Sequence, residues 1–200
     1  MFENTLFLPI DIPINTRLNE LADTFVPEFE FGFWDVMRLT EPTKNYSTVG
    51  FADFMHDEWQ DVIDFFDMHL PFTEYVNVKF HRTKPELMTK AHIDFTTPEI
   101  NQSLYDHTQS NEPCGYRMLI SGTVGKFFVV DGAGVKTYGV TPPETNTFVM
   151  RASDGIHGAD QDQNRMILYF QGILDQDKHR QILERSYQKY KDSMISYGKA

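Results

Sequence analysis

The sequence predicts a mainly β protein with flanking helices, folded as a single domain over residues 1–200. Three observations predict this class. A series of short β-rich runs begins near residue 75. Helical periodicity precedes that series and follows it. The composition is 40% hydrophobic and 14% aromatic, with 17 Phe, which is enough to build a substantial core.

Helical periodicity appears in three segments of the chain. Residues 17–25 fit a short helix, and residues 53–70 fit a longer one whose apolar positions recur at steps of three and four. Residues 176–195 fit a C-terminal helix with an apolar stripe that would cover a sheet face. We therefore expect residues 1–74 to mix helices with strands and residues 175–200 to close the fold with a helix.

The central segment, residues 75–174, contains seven predicted strands separated by turns. They are residues 75–82, 88–95, 115–122, 126–131, 135–140, 146–152 and 165–174. The pair Asp131-Gly132 between two of them is a hairpin-turn signal. Seven short strands at this spacing favour an antiparallel sandwich or barrel.

The charge and the cysteine content limit which partners and which cellular compartment we expect for the protein. The formal net charge is −11, from 18 basic and 29 acidic side chains, which disfavours nucleic acid or an anionic membrane as a partner. The single cysteine, Cys114, cannot form an intramolecular disulfide. The first residues lack the basic start of a signal peptide, and no apolar run approaches the ~20 residues that span a bilayer. We expect a soluble cytoplasmic protein.

Residues 90–96, KAHIDFT, contain the first candidate ligands. On a strand, His92 and Asp94 fall on the same face. The same His-x-acid spacing occurs at His56, but that residue lies in a predicted helix, where side chains two apart diverge. A polar face of this kind is also typical of a solvated strand, so a metal site would need a third ligand.

Three later histidines could supply the third ligand. His107 lies in a polar segment that fits a loop, and His179 lies at the start of the last predicted helix. His157 lies in SDGIHGAD between Gly155 and Gly158, and glycines allow close backbone approach. Taken alone, His157 fits a loop histidine without a function better than a metal ligand, and a further feature has to decide between the two.

Arg165 opens the strand RMILYFQG, which is apolar on both faces beyond it. A guanidinium at the start of a strand that is buried on both faces needs an anionic partner. That partner is either a distant carboxylate of the chain or a ligand carboxylate that binds bidentately.

The order HID, GIHG and a following Arg resembles that of the iron(II)- and 2-oxoglutarate-dependent oxygenases, including their aspartyl/asparaginyl and prolyl hydroxylase branches. The resemblance covers residues 75–174 and implies a double-stranded β-helix core, a jelly roll of the cupin-like kind. It implies that His92, Asp94 and His157 bind Fe(II). It also implies that Arg165 holds the distal carboxylate of 2-oxoglutarate.

Other parts of the chain bear on the same resemblance. The strand GYRMLISG is similar to one that carries another Arg near the cosubstrate in the aspartyl/asparaginyl branch, which makes Arg117 a second candidate contact. The chain has Ile167 where many members place a hydroxyl residue two positions after the anchoring Arg. The long interval between His92 and His157 implies an inserted loop around 97–114, which could cover the substrate.

The resemblance implies a dioxygenase that uses Fe(II), dioxygen and 2-oxoglutarate to hydroxylate a C–H bond, with release of succinate and carbon dioxide. Its substrate would be a small molecule or a protein side chain, and Lys126 and Arg151 could orient an acidic one. Two alternatives stay open. One is a cupin-type isomerase or dioxygenase that uses the same cluster without 2-oxoglutarate. The other is a non-enzymatic β-sandwich binding module. Arg165 separates the oxygenase from the cupin alternative, and metal content separates both from the binding module.

Overall fold

The computed structural model of the protein describes residues 2–31, 34–42, 47–84, 87–94, 112–122, 126–152, 155–161 and 165–197. Within these ranges the chain is mainly β with a few helices, as the sequence predicts. No helix in the same ranges is long and apolar enough to cross a membrane. Most of the predicted 97–114 loop, including His107, lies outside the described residues.

The described part of the N-terminal segment forms short strands and helices in alternation. The strands are β1 (Thr5–Pro9), β2 (Phe29–Phe31) and β3 (Trp34–Arg38). The helices are α1 (Arg17–Asp23), α2 (Asp53–Glu58) and α3 (Gln60–His69). The sequence predicts the helices, but it predicts only that strands accompany them.

Helices α2 and α3 occupy the segment predicted as a single helix over 53–70. The backbone leaves the helical region at Trp59, where φ is −132°. The predicted apolar stripe is buried in spite of this break, at Met55, Trp59, Val62, Ile63, Phe66 and Leu70. Because neither proline nor glycine marks the break, the usual sequence signals of a kink are missing.

The remaining strands follow from residue 72. They are β4 (Phe72–Thr83), β5 (Thr89–His92), β6 (Gly115–Ser121), β7 (Phe127–Val130), β8 (Lys136–Tyr138), β9 (Thr147–Met150), β10 (His157–Ala159), β11 (Met166–Leu174) and β12 (Ile195–Ser196). Each predicted strand overlaps one of these. Strands β10 and β12 are additional, and β10 places His157 in a strand rather than in a loop.

The predicted C-terminal helix is shorter than expected. Helix α4 (Gln176–Tyr190) ends at Tyr190 and is followed by a single 3-10 turn, Lys191–Ser193, and by β12. The Asp175 carboxylate caps the helix by accepting a hydrogen bond from the backbone N–H of Lys178.

The strands form two antiparallel sheets. The large sheet has the order β12-β1-β9-β6-β11-β4-β3-β2, and the small sheet has the order β5-β10-β7-β8. Between β4 and β11 the chain passes repeatedly from one sheet to the other, because β4, β6, β9 and β11 lie in the large sheet and β5, β7, β8 and β10 in the small one.

The large sheet buries apolar side chains on both faces. On its outer face Leu168 and Phe170 pack in one cluster with residues of the helices, such as Phe66. On its inner face Ile167 belongs to a second cluster, shared with the small sheet, in which the rings of Phe127 and Phe148 lie 5.3 Å apart. Because side chains alternate along a strand, residues 169 and 171 also face the small sheet.

Candidate functional site

Two histidines and an aspartate meet at one end of the small sheet. Strand β5 ends at His92, and Asp94 lies in the bend just after it rather than on the strand itself. His157 opens β10 and is paired directly with His92 across the two strands, with ring centroids 4.5 Å apart. The structure therefore brings together all three residues of the predicted cluster.

Each histidine directs its Nε2 atom at the same carboxylate oxygen. The distance to Asp94 Oδ1 is 3.2 Å from His92 and 3.5 Å from His157. The opposite ring nitrogens bond to the backbone, since His92 Nδ1 lies 2.8 Å from the Lys90 carbonyl and His157 Nδ1 lies 2.9 Å from the Gly155 carbonyl. A carbonyl can only accept, so each Nδ1 carries a proton and donates it, and a metal would bind at Nε2 once that atom has lost the proton that it directs at Asp94.

Gly158 allows the strands of the cluster to approach one another. A Cβ at this position would lie 2.5 Å from Cζ of Phe128 on β7 and 2.7 Å from the backbone oxygen of Thr89 on β5. Real Cβ atoms do not come so close, so only glycine fits between the two neighbouring strands. Gly158, which follows His157 in the sequence, thus allows β5 and β10, the two strands that carry the histidines, to pack closely.

Asp94 is fixed at both its backbone and its side chain. Its N–H donates to the Ala152 carbonyl at 2.9 Å, and Arg117 Nη2 lies 3.4 Å from its Oδ2. Burial opposes ionisation, but the hydrogen bonds from His157 and His92 and the charge of Arg117 outweigh it, so the pKa of Asp94 lies well below its usual range. The hydrogen bond between His92 and Asp94 also raises the pKa of the His92 imidazole.

Arg165 lies just before β11 and is only 1% exposed. Its Nε donates to Thr83 Oγ1 at 3.2 Å, and its Nη1 donates to the Asp160 carbonyl at 3.1 Å. Its guanidinium carbon lies 4.7 Å from the centroid of the Phe127 ring. These contacts hold a permanent positive charge on the wall of the cavity that the His-Asp-His cluster also lines.

Arg117, on β6, is 5% exposed and lies nearer to the cluster. Its Nη1 donates to the Tyr116 carbonyl at 3.0 Å, and its guanidinium carbon lies 3.8 Å from the centroid of the Tyr169 ring. Together with the ion pair to Asp94, these contacts place Arg117 between the cluster and the large sheet.

The two sheets enclose a cavity of about 450 Å³. Its wall on the large sheet includes polar residues that the sequence analysis did not single out, namely Asn77, Lys79, His81 and Gln171. The signal that could have found the first three is the polar alternation within YVNVKFHR, where residues 77, 79 and 81 share one face of β4.

The charges on this wall affect one another. Burial, with the positive charges of Arg117 and Arg38, lowers the pKa of Lys79 to about 8, while Asp94 acts in the opposite direction. Burial, with the charges of Lys79 and Arg117, holds the pKa of His81 well below its usual range. His81 is therefore neutral near pH 7, and its ring lies between those of Trp34 and Tyr169.

The other candidates from the sequence lie elsewhere. His56 is exposed on α2 and contacts Gln60. His179 is buried on α4 against the Tyr116 hydroxyl, 2.9 Å from its Nδ1, and burial lowers its pKa to about 4. Arg151 was expected to be able to orient an acidic substrate, but it is bonded to the backbone carbonyls of residues 3 and 5. Lys126 is exposed. Neither lines the cavity.

The cluster has the composition of a metal site. One ligand atom from each of His92, Asp94 and His157 lies within 4.8 Å of the other two. Two imidazoles and one carboxylate, with further positions open toward a cavity, suit Fe(II) and other divalent first-row metals. Loss of the Nε2 protons on metal binding, together with the ionised Asp94 carboxylate, would give the form that such a metal requires.

No protein-family model matches the chain, and no curated protein matches it either. Among solved structures, the chain is similar to the crystal structure of an oxidoreductase of the 2OG-Fe(II) oxygenase family from Burkholderia pseudomallei. The two share 14% sequence identity, and the match covers 79% of each chain with a TM-score of 0.45.

Proposed function

We propose that the protein is an Fe(II)- and 2-oxoglutarate-dependent dioxygenase that hydroxylates a C–H bond of a small molecule or a protein side chain. One observation carries this proposal: a His-Asp-His cluster and a buried arginine line the same cavity from different sheets. The passage of the chain between the two sheets from β4 to β11 supports a double-stranded β-helix as the framework. The order of the motif along the chain supports the same assignment.

In this proposal His92, Asp94 and His157 hold Fe(II), and Arg165 holds the distal carboxylate of 2-oxoglutarate. When both are bound, iron and 2-oxoglutarate supply the activation of dioxygen, which yields succinate, carbon dioxide and a hydroxylated product. The contribution of the protein is to fix the donors before the metal arrives. The carbonyls of Lys90 and Gly155 do this by holding the rings of the two histidines.

Arg165 is suited to a carboxylate because its orientation is set before the ligand binds. Thr83 and the Asp160 carbonyl, two neutral acceptors, fix the guanidinium plane. Its burial strengthens the attraction because little water screens the charge. Arg117 is a second candidate contact for the cosubstrate, and its ion pair also orients Asp94.

The test is an anaerobic titration of metal-free protein with Fe(II) and then with 2-oxoglutarate, followed by visible absorption. We expect a charge-transfer band that needs both ligands, is absent in His92→Ala and is weakened in Arg165→Gln. His56→Ala and Arg180→Gln are matched controls, because both side chains lie outside the cavity. Iron binding without any response to 2-oxoglutarate would favour the cupin-type alternative, and absence of iron binding would overturn the proposal.

A further inference from the structure

The wall of the cavity formed by the large sheet carries a row of positive charge. Lys79 on β4, Tyr169 on β11 and Arg117 on β6 are direct cross-strand neighbours. The Tyr169 ring lies between the two cations, with its centroid 5.1 Å from Lys79 Nζ and 3.8 Å from the guanidinium carbon of Arg117. The row and the His-Asp-His cluster line the same cavity.

Positive charge exceeds negative charge among the described residues that line the cavity. Lys79, Arg117 and Arg165 face a single carboxylate, that of Asp94. The charge of a divalent metal and that of the 2-oxoglutarate dianion cancel, so loading the cavity leaves this excess unchanged. Within the proposed function Arg117 is paired with Asp94, and Arg165 serves the cosubstrate.

Lys79 is the cation that remains. None of the described carboxylates lies within ion-pair distance of its Nζ, and its side chain is half-buried in the cavity wall. Burial and the charges of Arg117 and Arg38 make its charged form less favourable than that of an ordinary lysine in the absence of ligand. A bound anion would remove this cost, because an opposite charge nearby favours the protonated amine.

Two buried nitrogens next to Lys79 also lack partners among the described residues. Gln171 is 4% exposed and His81 is 7% exposed, and the Nε2 atom of each has no hydrogen-bond partner there. Gln171 pairs with Asn77 on the face that carries Lys79, which makes Gln171 and Lys79 diagonal neighbours. Long side chains at that separation, about 7–8 Å, can reach one ligand. A buried polar group without a partner is costly, so a ligand acceptor is expected there.

We infer that the substrate of this site carries a carboxylate or phosphate group, bound by the Lys79 ammonium and the Gln171 amide on the large-sheet wall. This inference rests on the proposed function, because it assigns Arg165 to the cosubstrate and Lys79 to the substrate. A cavity of about 450 Å³ lies in the lower part of the range of small-molecule sites, roughly 300–1,000 Å³. The acidic group is therefore that of a small substrate.

The test measures binding of small anions to protein loaded with redox-inert Zn(II) and saturating 2-oxoglutarate, and also to the metal-free protein. The probes are monocarboxylates of two to six carbons, the primary amide of each, and inorganic phosphate. Trp34 is the reporter, since it lines the cavity and its ring lies 5.1 Å from that of His81. Calorimetry repeats each titration without relying on that signal.

We expect at least one oxyanion to bind the loaded protein about tenfold or more tightly than its neutral counterpart. The neutral counterpart of each carboxylate is its primary amide, and the amides also serve as the neutral probes for phosphate. Lys79→Met removes this preference, and Lys79→Arg, which keeps the charge, restores most of it. Lys136→Met is the matched control at an exposed lysine of β8. Whether the carboxylates or inorganic phosphate show this preference identifies the acidic group of the substrate.

Equal binding of acids and amides would overturn the inference, as would an unchanged preference in Lys79→Met. Loss of 2-oxoglutarate binding in Lys79→Met would overturn it as well, because Lys79 would then belong to the cosubstrate. The metal-free titration keeps the two proposals apart. Lys79-dependent anion binding there would support the inference even if the protein failed to bind iron and 2-oxoglutarate.

Discussion

The two walls of the cavity are built in different ways. The small-sheet wall consists of short strands, and its functional atoms are the nitrogens of two imidazole rings held by backbone carbonyls, together with one carboxylate. The large-sheet wall consists of the long strands β4 and β11 with β6, and its functional atoms are cations that pack on aromatic rings. The small-sheet wall offers lone pairs, and the large-sheet wall offers positive charge and hydrogen-bond donors.

This difference matches what each kind of ligand requires. A metal needs lone pairs at a fixed mutual distance, and the cross-strand pair His92–His157 supplies that distance. An anion needs positive charge that water does not screen, and burial of Arg165 and Arg117 supplies it.

Removing a ligand from the small-sheet wall has the largest effect. We expect His157→Ala to lower the affinity for Zn(II) by more than ~100-fold, beyond the ~10–100-fold that loss of an outer-shell partner costs. Calorimetry with Zn(II) measures this, and circular dichroism confirms that the variant is folded. His56→Ala should bind Zn(II) like the wild type. A His157→Ala affinity within tenfold of wild type would show that the cluster is not the metal site.

Gly158→Ala tests how closely the strands of that wall pack. The new Cβ would meet the Thr89 carbonyl oxygen and the Phe128 ring, so we expect a loss of ~1–3 kcal/mol in the free energy of unfolding. Urea denaturation measures it. Gly132→Ala, where nothing lies within 4 Å, should change stability by no more than about 0.5 kcal/mol. Equal effects at both glycines would contradict the close approach.

Arg117→Met tests the contact between the walls. The variant loses the ion pair that orients Asp94, so we expect the Zn(II) affinity to fall about tenfold, in the range of an outer-shell effect. The same calorimetric titration measures it, with Arg38→Met, on β3 and outside the cavity lining, as control. Unchanged affinity would mean that Asp94 is held by its histidine neighbours and backbone alone.

Lys79 gives the smallest effect, and its sign depends on pH. Its folded pKa, about 8, lies below its ordinary value of 10.5. Between these values the unfolded chain binds more protons than the folded protein, so this group makes stability rise with pH. We expect wild type to gain of the order of 1 kcal/mol relative to Lys79→Met from pH 8 to 10.5. Urea denaturation at a series of pH values checks this. A flat difference would contradict a buried Lys79.

The sequence predicts the small-sheet wall better than the large-sheet wall. Residues that can bind metals are few in kind, and the order HID, GIHG and a following Arg made His92, Asp94 and His157 candidates, with Gly155 and Gly158 flanking the last of them. Lys79 and Gln171 belong to strands far apart in the chain, and only the pairing of β4 with β11 brings them to one face. Arg165 was found because an arginine before an apolar strand is conspicuous.

Some features of the fold depend on contacts that local sequence does not encode. The break at Trp59 has no proline or glycine to mark it. Strand β10 has three residues, two of them in the motif HG, so no alternating pattern could reveal it. Its strand conformation comes from pairing with β5 and β7 on both sides.

The central claim is that the cosubstrate would span the cavity, from a metal bound on the small sheet to Arg165 just before β11. The most direct test compares 2-oxoglutarate with 2-oxopentanoate, which has the same chelating end but no distal carboxylate, by calorimetry on Zn(II)-loaded protein. We predict that wild type prefers 2-oxoglutarate by about tenfold or more and that Arg165→Gln abolishes this preference. A preference that persists in Arg165→Gln would contradict the claim.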